Sequence, residues 1–409
     1  MIAQLRSRSL LRVSCLVAAC SIFVAGCVVI ERRTDGGGAR SRSAQSAEQR
    51  FRDMPAQDDV IASADWYRPR VRVPGAPQAR SPGADTAVRA RFEKALAVSR
   101  DYDSLGLVVM VDGKLLLEDY APGFDARARF DSQSMHRALL AIAVLAALED
   151  GAIRSLSQPL ADFLPEWSAP DDARGRITLF DLLYNQSGFV DPSYENRLDS
   201  AGMQLFIGTD LRALVLAQKP VVAAGKNYRG TALDAQLLGL VLERATGQSY
   251  AKYLSRRLWR PIDAGDAWVR LDREGGSTRT FCCIQASARD WAHVGELVRM
   301  RGRTQDGAVL TEASIARLLA PAPLNPGAGM SWFLEPTSLV PRSVAGDRPL
   351  PKPTPFAATG VVYAGGRGGQ RVYVLPQQRA VVVRLGRIRN DFDDGKFLNP
   401  FIAALTASH

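Results

Sequence analysis

The sequence predicts an α+β (mixed α/β) fold in which a sheet begins near the N-terminus, is interrupted by a helical lobe and is completed at the C-terminus. Residues 105–120 read as two strands joined by Val111-Asp-Gly-Lys114, a strong tight-hairpin signal. From about residue 151 to 324 the apolar residues recur mostly with a helical period. After Asn325, short valine-rich runs separated by turn residues predict the remaining strands.

Individual elements follow from local patterns. A helical period covers residues 86–100, and an unbroken apolar run at 138–147 predicts a buried helix. Thr178 is a candidate N-cap for a helix over 177–184. Further helices are predicted at 211–217, 234–246, 250–258, 287–300 and 396–405, and strands at 330–334, 356–364, 371–375 and 380–385.

The N-terminus carries a targeting signal. Arginines precede an apolar segment, residues 13–25, that is too short to span a bilayer. Its end, Val24-Ala-Gly-Cys27, resembles a bacterial lipobox, which predicts a signal peptide over 1–27 and an acylated Cys27. A plain secretory signal with an incidental Cys27 is the alternative. Because an acidic residue does not follow Cys27, we expect lipid anchoring in the bacterial cell envelope, at the outer membrane and facing the periplasm.

Domain organisation follows from composition. Residues 28–85 are rich in Arg, Gly, Ser, Ala, Pro and Gln, which predicts a flexible tether, with Trp66-Tyr67 as a segment that could dock on the body. One domain is predicted over 86–405, with its sheet parts at about 86–150 and 325–405 and its helical lobe at about 151–324.

Charge and cysteine content limit the function classes. The formal net charge is +10, but only seven of the 52 basic residues are lysine and they are scattered, which favours ordinary surface charge over nucleic-acid binding. Only the adjacent pair Cys282-Cys283 remains after the signal and Cys27, which agrees with export, and we expect two buried thiols there. Three histidines are too few for an ordinary zinc site, so we expect no metal and no other cofactor.

The most informative segment is Phe130-Asp-Ser-Gln-Ser-Met-His-Arg137, which delivers Ser134 to the start of the apolar helix. Residues three apart share a helix face, so Ser134 and Arg137 have the layout of a Ser-x-x-Lys acyl-transfer site. In such a site the lysine activates the serine hydroxyl. Here the lysine position holds arginine.

Ordered segments along residues 90–405 resemble the class C β-lactamases and penicillin-recognising serine hydrolases, in particular the 6-aminohexanoate-dimer hydrolases and related esterases. These segments are Ser132-Gln-Ser-Met135, Leu182-Leu-Tyr-Asn-Gln-Ser-Gly188, Asp234-Ala-Gln-Leu-Leu-Gly239 with Ala245-Thr-Gly247, Phe281-Cys-Cys283 with Ala288-Arg-Asp-Trp291, and Gly366-Arg-Gly-Gly-Gln370. The resemblance implies an antiparallel sheet flanked by helices, an α-helical lobe, and a site in the cleft between them.

The resemblance also implies roles for residues. Ser134 takes the nucleophile position, where family members use a lysine and a tyrosine to move the proton. Arg137 cannot replace the lysine because a guanidinium stays protonated at physiological pH. Counting from Gly225 places Gly230 at the tyrosine position, and Tyr228 either packs beside the cleft or reaches into it. His136 is a weak alternative base, since it points to another face of the helix.

Substrate-binding positions implied by the resemblance are Asn185, Gly230, Arg367, Gly368 and Gly369. The last three could offer backbone N–H groups to a carbonyl or carboxylate, or could simply form a tight turn between strands. Ser249-Tyr-Ala-Lys252 also fits the Ser-x-x-Lys string, but it lies in a structural helix of the family and is interpreted as coincidental.

Two functions remain open. The first is an acyl-serine hydrolase acting on an amide or ester through Ser134 and an unusual base. The second, which we favour, is a relative that keeps the cleft, binds a small amide, ester or peptide-like ligand, and hydrolyses it weakly or not at all, because both proton-transfer positions have changed.

Overall fold

The computed structural model describes residues 45–56, 59–63, 65–77, 86–337 and 352–407. Its strands are β1 Arg70–Val73, β2 Ser104–Val111, β3 Lys114–Tyr120, β4 Phe130–Asp131, β5 Ala267–Arg270, β6 Gln285–Ala286, β7 Arg303–Thr304, β8 Gly307–Ala308, β9 Val362–Gly366, β10 Gln370–Leu375 and β11 Ala380–Gly386.

The helices are α1 Ala47–Asp53, α2 Thr86–Arg91, α3 Glu93–Asp101, α4 His136–Glu149, α5 Leu179–Leu183, α6 Ala201–Ile207, α7 Leu211–Leu216, α8 Ala232–Thr246, α9 Tyr250–Leu254, α10 Ala288–Arg299, α11 Glu312–Leu318 and α12 Asp394–Thr406. Short 3₁₀ turns and one π-helical turn at Ser255–Trp259 connect several of them. Among the helices that the structure describes, none combines the length and the apolar character needed to cross a membrane.

The central sheet has five strands in the order β3-β2-β11-β10-β9, with every pair antiparallel. Strands from both ends of the chain therefore pair directly, and the predicted α+β fold is confirmed. The hairpin between β2 and β3 turns at Asp112 (φ 50°) and Gly113 (φ 74°), the left-handed pair expected for its two-residue loop.

Both faces of this sheet are covered, which explains the continuous apolar character of β2. Leu107 and Val109 pack on one face with residues of α3 and α12. Val108 and Met110 pack on the opposite face in the core that includes α4, α8 and α10. Helix α10 thus covers the sheet although its residues fall within the range predicted for the lobe.

The regular structure of the predicted lobe, residues 151–324, is chiefly helical, but the range also contains the two-stranded sheet of β7 and β8 and contributes β5 and β6. These strands join a second sheet in the order β1-β5-β6-β4, and β4 leads into the Ser134 segment. Helix α4 crosses the interior and is buried from Ala138 to Ala147, because its sequence is apolar on all sides.

The flexible tether predicted for residues 28–85 is wrong for the described part of that range. Strand β1 pairs with β5, and α1 begins with a capping box formed by Ser46 and Gln49. Arg50 is 0% exposed and donates to the carbonyls of Arg68, Ile207, Gly208 and Asp272. These contacts tie the segment to residues far along the chain, which local composition could not indicate. The signal peptide, Cys27 and the start of the tether lie outside the described residues.

Candidate active site

The site is built on the segment Ser132–Arg137, here called the nucleophile turn. It leaves β4, forms a 3₁₀ turn at Gln133–Met135 and enters α4. Ser134 is partly exposed at the start of that helix. Gln133, directly before it, has φ 50°, a left-handed conformation that is unfavourable for residues other than glycine. Such strained residues persist where the surrounding structure fixes them, often at functional sites.

A buried ion pair supports the strained residue. Asp131 and Arg270 are both 0% exposed and their side chains meet at 2.6 Å. Oδ1 of Asp131 also accepts hydrogen bonds from the backbone N–H (2.8 Å) and the side-chain amide (3.0 Å) of Gln133. Burial raises the pKa of Asp131, while Arg270 and the Gln133 donors lower it. The buried ion pair and these hydrogen bonds therefore hold the backbone of Gln133 in its left-handed conformation.

A second support is the segment Phe281–Ile284, which runs along the nucleophile turn. The N–H of Cys283 donates to the carbonyl of Gln133 at 3.2 Å, and Ser132 N–H donates to the carbonyl of Ile284 at 3.1 Å. Cys282 and Cys283 form a vicinal disulfide in this segment. The expectation of two buried thiols is therefore wrong, because the turn brings the two sulfurs within bonding distance.

His136 does not serve Ser134. Its Nδ1 lies 2.8 Å from the Cys282 carbonyl and its Nε2 lies 2.7 Å from the Tyr250 hydroxyl, so both ring nitrogens are engaged away from the serine. Burial lowers the pKa of His136 to about 4, so the ring is neutral at pH 7. The weak alternative of a histidine base finds no geometric support.

Arg137 lies one turn beyond Ser134 and faces Gly230. Its Nε donates to the carbonyl of Phe281 at 3.2 Å. A Cβ atom on Gly230 would lie 3.8 Å from Nη1 of Arg137 and 3.3 Å from Oδ1 of Asn185. Arg137, Asn185 and Gly230 therefore lie together. The guanidinium of Arg137 is next to Gly230, which has no side chain.

Tyr228 reaches this same place. The side chains of Asn325 and Asn185 and the charge of Arg137 are near enough to its phenol to lower the pKa of Tyr228. Burial nevertheless raises the pKa of Tyr228 above its ordinary value. A phenol with a raised pKa is a poor base at neutral pH.

Two carboxylates near Arg137 were not identified as site residues from the sequence. Asp191 accepts from the N–H groups of Ala232 (2.8 Å) and Leu233 (3.1 Å) at the start of α8. Asp234 is 1% exposed, and its Oδ1 accepts from the Ser187 hydroxyl at 2.5 Å. Burial raises the pKa of Asp234 to about 7, despite the opposing hydrogen bonds and Arg137. Asp234 lies in the first turn of α8, and Asp191 lies in a loop and caps that turn, so only their proximity to Arg137 marks them.

The glycine-rich segment has two parts with different roles. A Cβ on Gly366, at the end of β9, would lie 2.5 Å from the Ser132 carbonyl oxygen, so this glycine allows the sheet edge to touch the nucleophile turn. Gly368 (φ 74°) and Gly369 (φ 88°) form the turn between β9 and β10, with their carbonyls bonded to Arg384. This geometry favours the tight-turn alternative for them. Arg367 is exposed beside them.

The second Ser-x-x-Lys string belongs to helix α9. Ser249 occupies the N-cap position of α9 without a capping hydrogen bond from its side chain, and Lys252 is exposed. In the described ranges no group of three or more His, Cys, Asp or Glu side chains could hold a metal ion.

The arrangement presents a serine hydroxyl on a rigid turn, a fixed positive charge one helical turn away, and hydrogen-bonding groups from Asn185 and Tyr228. Groups of this kind can form hydrogen bonds and ion pairs with a polar molecule. Of these groups, Arg137 is permanently charged and the phenol of Tyr228 has a raised pKa, so neither is an ordinary base for the Ser134 proton.

Comparison with known proteins agrees with this geometry. The Beta-lactamase family matches residues 88–407. A 6-aminohexanoate-dimer hydrolase of Paenarthrobacter ureafaciens is 25% identical over 224 residues, which are 52% of this chain and only 56% of that enzyme.

Solved structures share the fold. A protein provisionally named a 6-aminohexanoate-dimer hydrolase, from Bacillus anthracis, aligns with a TM-score of 0.65 at 19% identity, covering 89% of this chain and 96% of its own. A penicillin-binding protein homologue from Caulobacter crescentus aligns with a TM-score of 0.56 at 13% identity, covering 81% and 100%. The family match extends over most of the chain, and this chain belongs to the Beta-lactamase family.

Proposed function

We propose that this chain is an envelope-anchored member of the family that binds a small amide, ester or peptide-like ligand in the Ser134 cleft and hydrolyses it weakly or not at all. The observation that carries the proposal is the pairing of Arg137 with Gly230, whose notional Cβ is 3.8 Å from Nη1. Arg137 is permanently charged and Gly230 has no side chain, and these are the two positions where the chemistry needs proton-transfer groups.

An active amidase or esterase is the second candidate. It is favoured by the retained Ser134 and by the support that Asp131, Arg270 and Phe281–Ile284 give to its turn. The amide bond of the substrate named for the Paenarthrobacter relative would then be a model for its reaction. This candidate needs a base that acts without the usual pair.

Labelling of the serine distinguishes the two. The wild-type protein and Ser134→Ala are incubated with a fluorophosphonate or with benzylpenicillin, and the adduct is followed by intact mass spectrometry over time. The proposal expects little or no adduct on either protein. Rapid stoichiometric labelling of the wild type that Ser134→Ala abolishes would establish the active hydrolase instead.

The anchoring part of the proposal rests on the lipobox-like Val24-Ala-Gly-Cys27 and its apolar leader. It predicts fatty-acid labelling of the protein in bacterial cells and partitioning into detergent-rich phase. Cys27→Ala should remove both properties. If the protein is instead released in soluble form with Cys27 unmodified, the secretory-signal alternative is correct.

A further inference from the structure

We propose that Arg137 is the recognition residue for a carboxylate group on the ligand, bound in the space that Gly230 leaves open beside Ser134. This inference rests on the proposed function, because it names the chemical class of the ligand in the same cleft. In this inference Arg137 binds part of the ligand, so its presence means more than the loss of a lysine.

The guanidinium has unused donors. Its Nε is held by the Phe281 carbonyl, which fixes the plane of the group. The two terminal nitrogens make no hydrogen bond or ion pair with any residue in the described ranges. A guanidinium carries four N–H bonds on those nitrogens, in a geometry that matches the two oxygens of a carboxylate. Arg137 is partly exposed, so a ligand can reach them.

The nearby carboxylates do not use these donors. Both oxygens of Asp191 accept from the N-terminus of α8, and one oxygen of Asp234 accepts from Ser187. Neither forms an ion pair with Arg137 among the described contacts, although both raise its pKa against the lowering effect of burial. They hold the guanidinium in its charged form at a distance and leave its outer edge free.

The missing side chain provides the space. Gly230 does not have a left-handed φ, so its backbone would admit a larger residue, and glycine is not required there for conformation. A side chain at this position would approach Nη1 of Arg137 and cover it. The polar oxygen of Asn185 borders the same space. Arginine at 137 and glycine at 230 therefore act together, one supplying charge and the other access.

The test measures equilibrium binding in the Ser134→Ala background, where no covalent chemistry interferes. The probes are N-acetyl-6-aminohexanoate, which carries a carboxylate, and its methylamide, which has the same chain without the charge. Isothermal titration should show that the carboxylate binds about tenfold or more tightly than the methylamide, as expected for a charge-assisted pair. Inorganic phosphate serves as a third probe.

Variants isolate the residue. Adding Arg137→Gln should bring the affinities for the carboxylate and the methylamide to within about twofold of each other. The control is Arg229→Gln, which removes one exposed charge from the adjoining loop and should leave the preference for the carboxylate intact. Arg137→Lys keeps the charge without the two-pronged geometry and should retain part of the preference. Circular dichroism confirms that each variant is folded.

Three results would overturn the inference. One is equal or absent binding of both probes to Ser134→Ala, a second is an unchanged preference after Arg137→Gln, and a third is binding of phosphate with no carboxylate preference. These outcomes are separate from the labelling test, since a rapidly acylated Ser134 would remove the proposed weak hydrolysis but not an Arg137-dependent preference for the carboxylate.

Discussion

A Cβ atom on Gly230 would lie 3.8 Å from Nη1 of Arg137, so the two positions that differ from the Ser-x-x-Lys chemistry face each other in space. They are 93 residues apart in the sequence, and α8 brings the second to the first. The proposed function therefore predicts that strong serine reactivity requires substitutions at both positions.

The double variant Arg137→Lys, Gly230→Tyr is expected to label at Ser134 at least about 10²-fold faster than the wild type, because a general base contributes that order of rate. Asn185 must move by a few tenths of an ångström to admit the Cβ atom of the new side chain. Each single variant should remain close to the wild type. Labelling with a fluorophosphonate, followed by mass spectrometry, provides the measurement. Vigorous reaction of Arg137→Lys alone would show that another group, such as Tyr228, completes the site.

The Cys282–Cys283 disulfide is expected to hold the nucleophile turn in place, since Cys283 N–H donates to Gln133 and the Cys282 carbonyl contacts His136. Reduction by dithiothreitol, or the double change Cys282→Ser, Cys283→Ser, should speed amide hydrogen exchange in residues 132–137 about tenfold. The double-serine protein serves as the control, because dithiothreitol should not alter its exchange. Equal exchange in the oxidised and reduced proteins would contradict this role.

Arg50→Ala is expected to lower the free energy of unfolding by about 3–5 kcal/mol, because several buried carbonyls lose their charged donor at once. Urea denaturation monitored by circular dichroism measures the change. Arg52→Ala, on an exposed position of the same helix, is the matched control and should change stability by less than about 0.5 kcal/mol. Similar losses in both variants would mean that α1 does not anchor the segment through Arg50.

Asp234→Asn should change how stability depends on pH. The folded-state pKa of Asp234 is about 7, above the ordinary 3.8, so the folded protein holds this proton more tightly than the unfolded chain. The contribution of the Asp234 proton to the free energy of unfolding is therefore complete below about pH 4 and is lost as the pH rises through 7. The free energy of unfolding of the wild type, minus that of Asp234→Asn, should fall by more than about 1 kcal/mol between pH 5 and 8. Parallel pH curves for the two proteins would be inconsistent with a raised pKa.

The local patterns were sufficient for most elements of the fold. Asp112 and Gly113 form the expected hairpin turn, Thr178 caps α5 with Asp181, and the apolar run after Ser134 is the buried helix α4. These features depend on neighbours within a few residues, so periodicity and turn chemistry encode them directly. The resemblance in ordered segments gave the family, which the match over residues 88–407 confirms.

The proposed site needed contacts between distant residues. Sequence spacing placed Gly230 at the tyrosine position, but only packing shows that Arg137, Asn185 and Tyr228 converge on it. The tether was misjudged for a related reason, because an arginine-rich segment looks solvated until its buried carbonyl partners are known. Residue type and spacing therefore sufficed for many helices and strands, although the structure has no strand at the predicted 330–334 and β9 covers only Val362–Gly366. The groups that surround Ser134 follow only from the tertiary structure, since proximity and burial set both the hydrogen-bond partners and the pKa values.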